Sequence, residues 1–401
     1  MNPTLKEVLE LLVRWTHVIA GIMWIGNSML FNWLDRNLEK KENASELHVG
    51  TIWMVHSGGF YEVEKKHLAP GQMPAILHWF KWQSYITWIT GALLLHLVYY
   101  STQGMLVDPQ VAALTPVEAS LVGVGFIVGG FVLYEILWRS PIAKINWLAT
   151  LLSVGILGGA IWGLTHLLSG RAAYIHVGAL IGTCMSGNVF FHIMPSQREL
   201  IRATNAGEKQ NPAIGQYAKQ RSIHNNYLTF PLLFIMISNH FSGTYGSPVN
   251  WLILGILIVG GASVRHFMNV RYDGQHPSWL IGALGSAFVA SAAVFFLLLH
   301  PPGAKPVVLV ANGPHVSFAQ VDLIIGQRCR PCHSQTPKDP TITAPPAGVM
   351  FDTPEEIQMR KERIQARAVI SKTMPQNNKT GITEDERNVL AQWLAEGAPL
   401  N

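Results

Sequence analysis

The residues Cys329-Arg330-Pro331-Cys332-His333 carry the most specific chemistry in this 401-residue sequence. Two thiols three positions apart, followed by an imidazole, form the C-x-x-C-H pattern of covalent haem attachment: the thiols bond the vinyl groups of one haem and His333 reaches its iron. A zinc half-site would need a second ligand pair, and a thiol redox pair a thioredoxin-like pattern, and the sequence offers neither. One haem c is therefore expected, bound through Cys329 and Cys332. The third cysteine, Cys184, stands alone in an apolar run. The other chemistry-bearing group is the set of 16 histidines, many of them inside apolar segments. An ionisable side chain at such a place marks a candidate functional site.

The elements that position these residues follow from composition. The chain is 49% hydrophobic and 13% charged, against about 25% charged for an ordinary soluble protein, so it is no single soluble domain. Eight runs are long enough to cross a hydrocarbon core of about 30 Å as helices. They lie near 8–34, 76–100, 117–138, 145–168, 172–195, 222–242, 250–270 and 278–300. The first is too long for a signal-peptide core and is read as a retained span. Pro301-Pro302-Gly303 breaks the last helix, and the polar remainder carries 11 of the 29 basic residues. The expected organisation is an eight-span membrane domain over 1–300, a linker over 301–314 and a small domain over 315–401.

Basic residues mark the cytoplasmic connections. Arg36, Lys40, Lys41, Lys65 and Lys66 lie in 35–75, Arg139 and Lys144 in 139–144, Arg198, Arg202, Lys209, Lys219 and Arg221 in 196–221, and Arg271 in the seventh turn. The connections 101–116 and 243–249 hold none, and 169–171 holds Arg171 alone. Both termini are then expected outside, in the periplasm of a bacterial inner membrane. The basic balance is topological and does not call for nucleic acid. A 4+4 tandem repeat is also suggested, by His17-Val18 with Gly26-Asn27 against His176-Val177 with Gly187-Asn188, and by Ile127–Gly130 against Ile258–Gly261 and Trp147-Leu148 against Trp279-Leu280.

With that orientation, His17, His96, His166, His176 and His240 fall near the outer face. His78, His192, His224 and His266 fall near the inner one, with His56 in the inner loop. A lone span histidine is usually a hydrogen-bonded helix contact. Four at matched depth, His17, His96, His176 and His240, favour one or two haems b, which need facing imidazoles on iron. Gly21, Trp24 and Ser28 share a helical face with His17, giving small positions for a flat macrocycle. On the inner side His56, Lys81, His192, Arg221, His224, Arg265 and His266, with Glu135 and Asn188, could surround a planar anion; helix-end snorkelling is the plainer explanation.

The C-terminal domain is expected to be α-helical and similar to class I cytochromes c. A helix from Phe318 to Gly326 would lead into the motif, and another from Thr383 to Ala395 would close the domain. Of Met350, Met359 and Met374, Met374 precedes Pro375 in a polar loop before the last helix, as the axial methionine does in small cytochromes c. It is expected on the iron with His333, whereas Met359, in the charged stretch Pro354 to Arg367, is expected to pack.

The first helix resembles that of HemJ-type membrane haem proteins, where the corresponding histidine ligates haem. The whole chain resembles the PuuD-type urate hydroxylases, membrane-bound urate oxidases with a C-terminal cytochrome c. The resemblance rests on Arg14-Trp15-Thr16-His17 with Trp24-Ile25-Gly26-Asn27, on His56-Ser57-Gly58-Gly59-Phe60-Tyr61, on Trp82-Gln83-Ser84-Tyr85 and on the terminal C-x-x-C-H. The family has glycine where Ser57 stands. The resemblance implies an all-α fold, a bundle of eight transmembrane helices followed by the cytochrome. It also implies oxidation of urate to 5-hydroxyisourate in purine breakdown, with electrons leaving through the haem to a periplasmic cytochrome c or terminal oxidase. A homo-oligomer is compatible with it. The alternatives are a quinol:cytochrome c electron-transfer protein without urate activity, which fits membrane histidines and a fused cytochrome equally well, and a transporter with a redox-sensing domain.

Overall fold

A computed structural model describes residues 3–40, 45–102, 104–271, 277–300, 315–340, 342 and 344–400. The expected break at Pro301-Pro302-Gly303, the 301–314 linker and Lys41 lie outside them, as do the side chains of Trp279 and Leu280 in the proposed repeat. The chain is mostly helical, 70% helix and 5% strand. In order come α1 (Pro3–Asn37), a hairpin of β1 (His48–His56) and β2 (Gly59–Lys66), α2 (Lys81–Leu95), α3 (Pro116–Arg139), α4 (Asn146–Leu167), α5 (Gly170–Gly187), α6 (Met194–Asn205), α7 (Pro212–Ile237), a short α8 (Ser242–Tyr245), α9 (Asn250–Val270) and α10 (Pro277–Leu299).

Local chemistry sets several of these starts. Thr115 and Glu118 form a reciprocal capping box ahead of α3, whose first residue is Pro116. Ser169 caps α5 and Asn211 caps α7, again with a proline at the first helical position. Each side-chain oxygen satisfies an amide that the helix itself leaves unpaired.

Among the described residues six helices are long and apolar enough to cross a membrane: Thr4–Asn37, Pro116–Arg139, Asn146–Leu167, Gly170–Asn205, Asn250–Val270 and Ile281–Leu299. All six coincide with expected spans. The other two expected spans are helical but differ in character. Residues 76–80 are not helical, so α2 has 15 residues before a wider turn at His96–Tyr100. Helix α7 has the length, 26 residues, but its middle carries Arg221, His224, Asn225 and Asn226. Within the bundle α5 is central: 67% of its most apolar window is buried, against 11% for α1 and for α10. Tyr174, Val177, Ile181 and Met185 of α5 pack in one core with Leu164, Ile235 and Leu254.

The expectation of an all-α chain is corrected by the hairpin. The run His48–His56 alternates β-branched and aromatic residues with others, a strand pattern, and pairs antiparallel with β2 up to His56 opposite Gly59. Ser57 and Gly58 make the two-residue turn with φ of 50° and 76°, the conformation of the hairpin turns that need positive φ at both positions. A serine there carries about 1 kcal/mol of strain that the family's glycine would not.

The C-terminal domain holds α11 (Phe318–Arg328), α12 (Pro354–Met359), α13 (Lys361–Ile364) and α14 (Glu384–Ala395). The expected first and last helices are both present, and the charged stretch breaks at Arg360 into short pieces. Val321, Ile325, Ile357, Leu390 and Trp393 form its core. Capping boxes at Ser317/Gln320, Thr353/Glu356 and Thr383/Glu386 start three of the helices. The domain rests on the bundle through residues 373–378. Asn377 donates through Nδ2 to the Gly104 and Met105 carbonyls at 2.7 and 3.2 Å. Thr373 packs so closely on Gly246 that a Cβ there would collide with its methyl group. Both bundle contacts lie in the connections that carry no basic residue.

Candidate functional site

A cavity of about 2440 Å³ runs between the bundle and the C-terminal domain. It is larger than the roughly 300–1,000 Å³ of an ordinary small-molecule pocket, so it has room for more than one bulky group. On the C-terminal side Cys329, Cys332, His333 and Met374 all line it. Helix α11 ends at Arg328 and delivers the motif directly. The His333 Nδ1 lies 3.0 Å from the Val349 carbonyl. A carbonyl only accepts, so Nδ1 carries the proton and Nε2 keeps its lone pair, the tautomer of a metal-ligating imidazole. Burial also holds His333 below the ordinary imidazole value, which favours the neutral ring. Of the three methionines, Met374 alone lines the cavity, while Met359 is 76% exposed. The Met374 backbone is pinned by Arg387 Nη1, which donates to its carbonyl at 2.9 Å, and by its own amide on the Arg367 carbonyl.

Desolvation pushes the Cys329 thiol up to about 12 against the charge of Arg387, and raises Cys332 as well. A reactive redox dithiol uses the opposite shift. Among the described residues no group of three or more His, Cys, Asp or Glu is placed to hold a metal ion. The donor set therefore fits a covalently attached haem better than zinc.

On the bundle side the four matched histidines do not converge. His17 of α1 and His240, just after α7, line the cavity. His17 Nδ1 stands 3.0 Å from Thr90 Oγ1, whose own proton goes to the Ile86 carbonyl at 2.6 Å. Nδ1 is thus the donor, and the lone pair sits on Nε2. His176 is fully buried away from the cavity. Both its ring nitrogens are engaged, Nδ1 on the Ala172 carbonyl at 2.7 Å and Nε2 with Tyr100 Oη at 2.9 Å. Its ring packs on Gly123, where any Cβ would strike it. His96 is exposed and off the cavity. The sequence pairs His17/His176 and His96/His240 are therefore not pairs of like environment.

At the other end of the bundle, the candidate substrate residues separate into two buried clusters and two outliers. In the first, Glu135 of α3 accepts from His192 at 2.7 Å, Arg139 at 2.9 Å and Arg221 at 3.2 Å. Tyr217 Oη meets His192 Nδ1 at 2.8 Å, and Tyr134 Oη joins His224 Nδ1 at 2.7 Å to Asn188. Arg221 is completely buried, so snorkelling does not describe it. In the second cluster, on α7 and α9, Arg265 Nε donates to Asn226 Oδ1 at 3.0 Å and Tyr227 Oη meets His266 Nδ1 at 2.8 Å. His56 is at the exposed hairpin tip, with Ser57 at 2.9 Å, and Lys81 opens α2 beside the Trp79 and Trp82 rings. Neither belongs to the clusters.

Sequence reasoning did not single out Tyr134, Tyr217 or Asn269. Spacing offered a signal for two of them: Tyr217 and Arg221, like Arg265 and Asn269, are four apart and share a helix face.

The fold and these sites define a polytopic membrane protein with a second, smaller domain docked over a cavity at one end of the bundle. Residues 3–297 match the family described as Urate oxidase N-terminal, and the chain belongs to that family. It is thereby a urate-related oxidoreductase. No curated protein and no solved structure matches the chain.

Proposed function

We propose that the protein is a membrane-bound urate hydroxylase that converts urate to 5-hydroxyisourate and delivers the electrons, through its C-terminal domain, to a periplasmic cytochrome c or terminal oxidase of a bacterial inner membrane. The observation that carries the electron-exit part is the cavity: it joins His17, near the middle of α1, to Cys329, Cys332, His333 and Met374. The family match supports urate as the substrate.

In the reaction, urate and water give 5-hydroxyisourate, two protons and two electrons; the oxygen added at C5 comes from water. A c-type haem, when bound, supplies a one-electron acceptor. Cys329 and Cys332 would hold it covalently, and His333 and Met374 would supply ligands to its iron. The Val349 carbonyl orients His333, and Arg387 and the Arg367 carbonyl hold the methionine loop. His17 Nε2 and His240 are the residues that fit a haem b in the same cavity. Proton release is served by Glu135, His192 and Tyr217, hydrogen-bonded in series. Such a chain can pass a proton along side chains whose positions are fixed.

The test mixes the purified protein with urate in the absence of oxygen and follows the haem c α-band. Reduction by urate, lost in Cys329→Ser and Cys332→Ser although the bundle still inserts, is expected. Reduction by a quinol with none by urate would replace this reading with that of a quinol:cytochrome c protein.

A further inference from the structure

The bundle buries two arginines at the end away from the C-terminal domain, and they are treated differently. Arg221 faces the Glu135 carboxylate at 3.2 Å. Arg265 is 3% exposed and, among the described residues, has no carboxylate within ion-pair distance. The cation Arg36 of α1 acts on it through space with the same sign of charge. A guanidinium taken out of water without a counter-charge is among the most costly things a protein can bury.

Its neighbour on the same helix face repeats the pattern. Asn269, 4% exposed, donates through Nδ2 to Asn226 Oδ1 at 2.8 Å, the same oxygen that accepts from Arg265 Nε. Asn226 so fixes the two side chains next to each other. Among the described residues the Asn269 Oδ1 is buried without a partner. A cationic donor and an orphaned acceptor therefore stand together, with the Phe230 ring 5.8 Å from the guanidinium carbon. Arg offers paired N–H donors in a planar fork, and the amide oxygen asks for an N–H. The complementary ligand edge is an anionic, planar cis-amide, a C=O beside an N–H, as in an oxopurine.

We propose that Arg265 and Asn269, held by Asn226, are the binding residues for that edge of the substrate, Arg265 donating to the oxygen and Asn269 accepting from the adjacent N–H. This rests on the urate reading above. Nineteen residues of α1 separate His17 from Arg36, about 28 Å of helix, so electrons from this site must cross most of the bundle to reach the C-terminal domain.

Full-length protein in nanodiscs of phosphatidylcholine, titrated with urate by calorimetry, tests the assignment. Arg265→Gln should weaken urate binding about 10- to 100-fold, and Asn269→Leu should weaken it less. A urate methylated at the N–H that Asn269 reads should bind wild type and Asn269→Leu equally. Arg265→Gln removes an unpaired buried charge, so its ligand-free melting midpoint should hold or rise, and urate should no longer raise it. Wild-type urate affinity in both variants, or equal competition by inorganic phosphate or phosphatidylglycerol, would overturn the assignment and leave an unspecific anion site. Absence of urate binding by the wild type would instead remove the functional reading on which it depends.

Discussion

The Nδ1 of His17 on α1 donates to Thr90 Oγ1 on α2 across 3.0 Å. That one contact fixes the tautomer and leaves the lone pair on Nε2, on a ring that lines the cavity beneath the C-terminal domain. If His17 holds a haem b, Thr90→Val should lower its affinity about 10- to 100-fold, and His17→Ala should abolish binding. The ratio of b- to c-type haem in a pyridine haemochrome spectrum of purified protein reads this directly. An unaltered ratio in both variants would exclude His17 as a ligand.

Glu135 and Arg221 make a buried pair, with the Arg221 Nη1 on the carboxylate at 3.2 Å. Removing one partner strands the other, so Glu135→Gln should cost about 3–5 kcal/mol of stability. The double variant Glu135→Gln/Arg221→Met should recover most of that loss. Equilibrium unfolding in mixed micelles measures it, and a double variant no better than the single one would show that the pair is not the source of the cost.

Gly246 is the point at which the bundle meets Thr373. Gly246→Ala should push the C-terminal domain off its seat, raising amide exchange in 104–106 and in 373–378 together, about 5- to 30-fold. Exchange that rises in one segment alone would mean that the two are not coupled through this contact.

The C-terminal domain should also weaken in acid. Burial pushes the Glu386 carboxyl up, but Arg328, which donates through Nε at 3.0 Å, and the Thr383 amide prevail and hold it below the ordinary value. Stability from this group is present above the unfolded value of about 4.3 and is lost as pH falls through the lower folded one. The pair is partly exposed, so its contribution is at most about 1 kcal/mol. Glu386→Gln should flatten the loss of protection of α14 between about pH 5 and 3, measured by pulsed hydrogen exchange. An identical pH profile in wild type and variant would assign the acid sensitivity elsewhere.

Much of this was legible in the chain itself. The C-x-x-C-H run, the apolar stretches and the Thr383 helix start are local: neighbouring residues decide them through covalent spacing, hydropathy and capping. The hairpin was also locally encoded, in the alternation before Ser57-Gly58, but it lies in the polar connection 35–75, where charge was the dominant signal. Spacing did not sort the matched histidines, for a different reason. Depth in a membrane is a function of position along a helix, whereas whether a ring faces a cavity depends on its rotation against neighbours, which set His17 on Thr90 and His176 on Tyr100.

By itself the sequence determined the membrane character, the polar C-terminal region with its C-x-x-C-H run, and the family. Only the tertiary structure decided which of three methionines shares a cavity with His333, which histidines share it, and which buried arginine has a carboxylate. Those are relations between helices far apart in sequence. Pairing across such distances is set by how side chains fill the space between packed helices, and no spacing along one chain segment contains it.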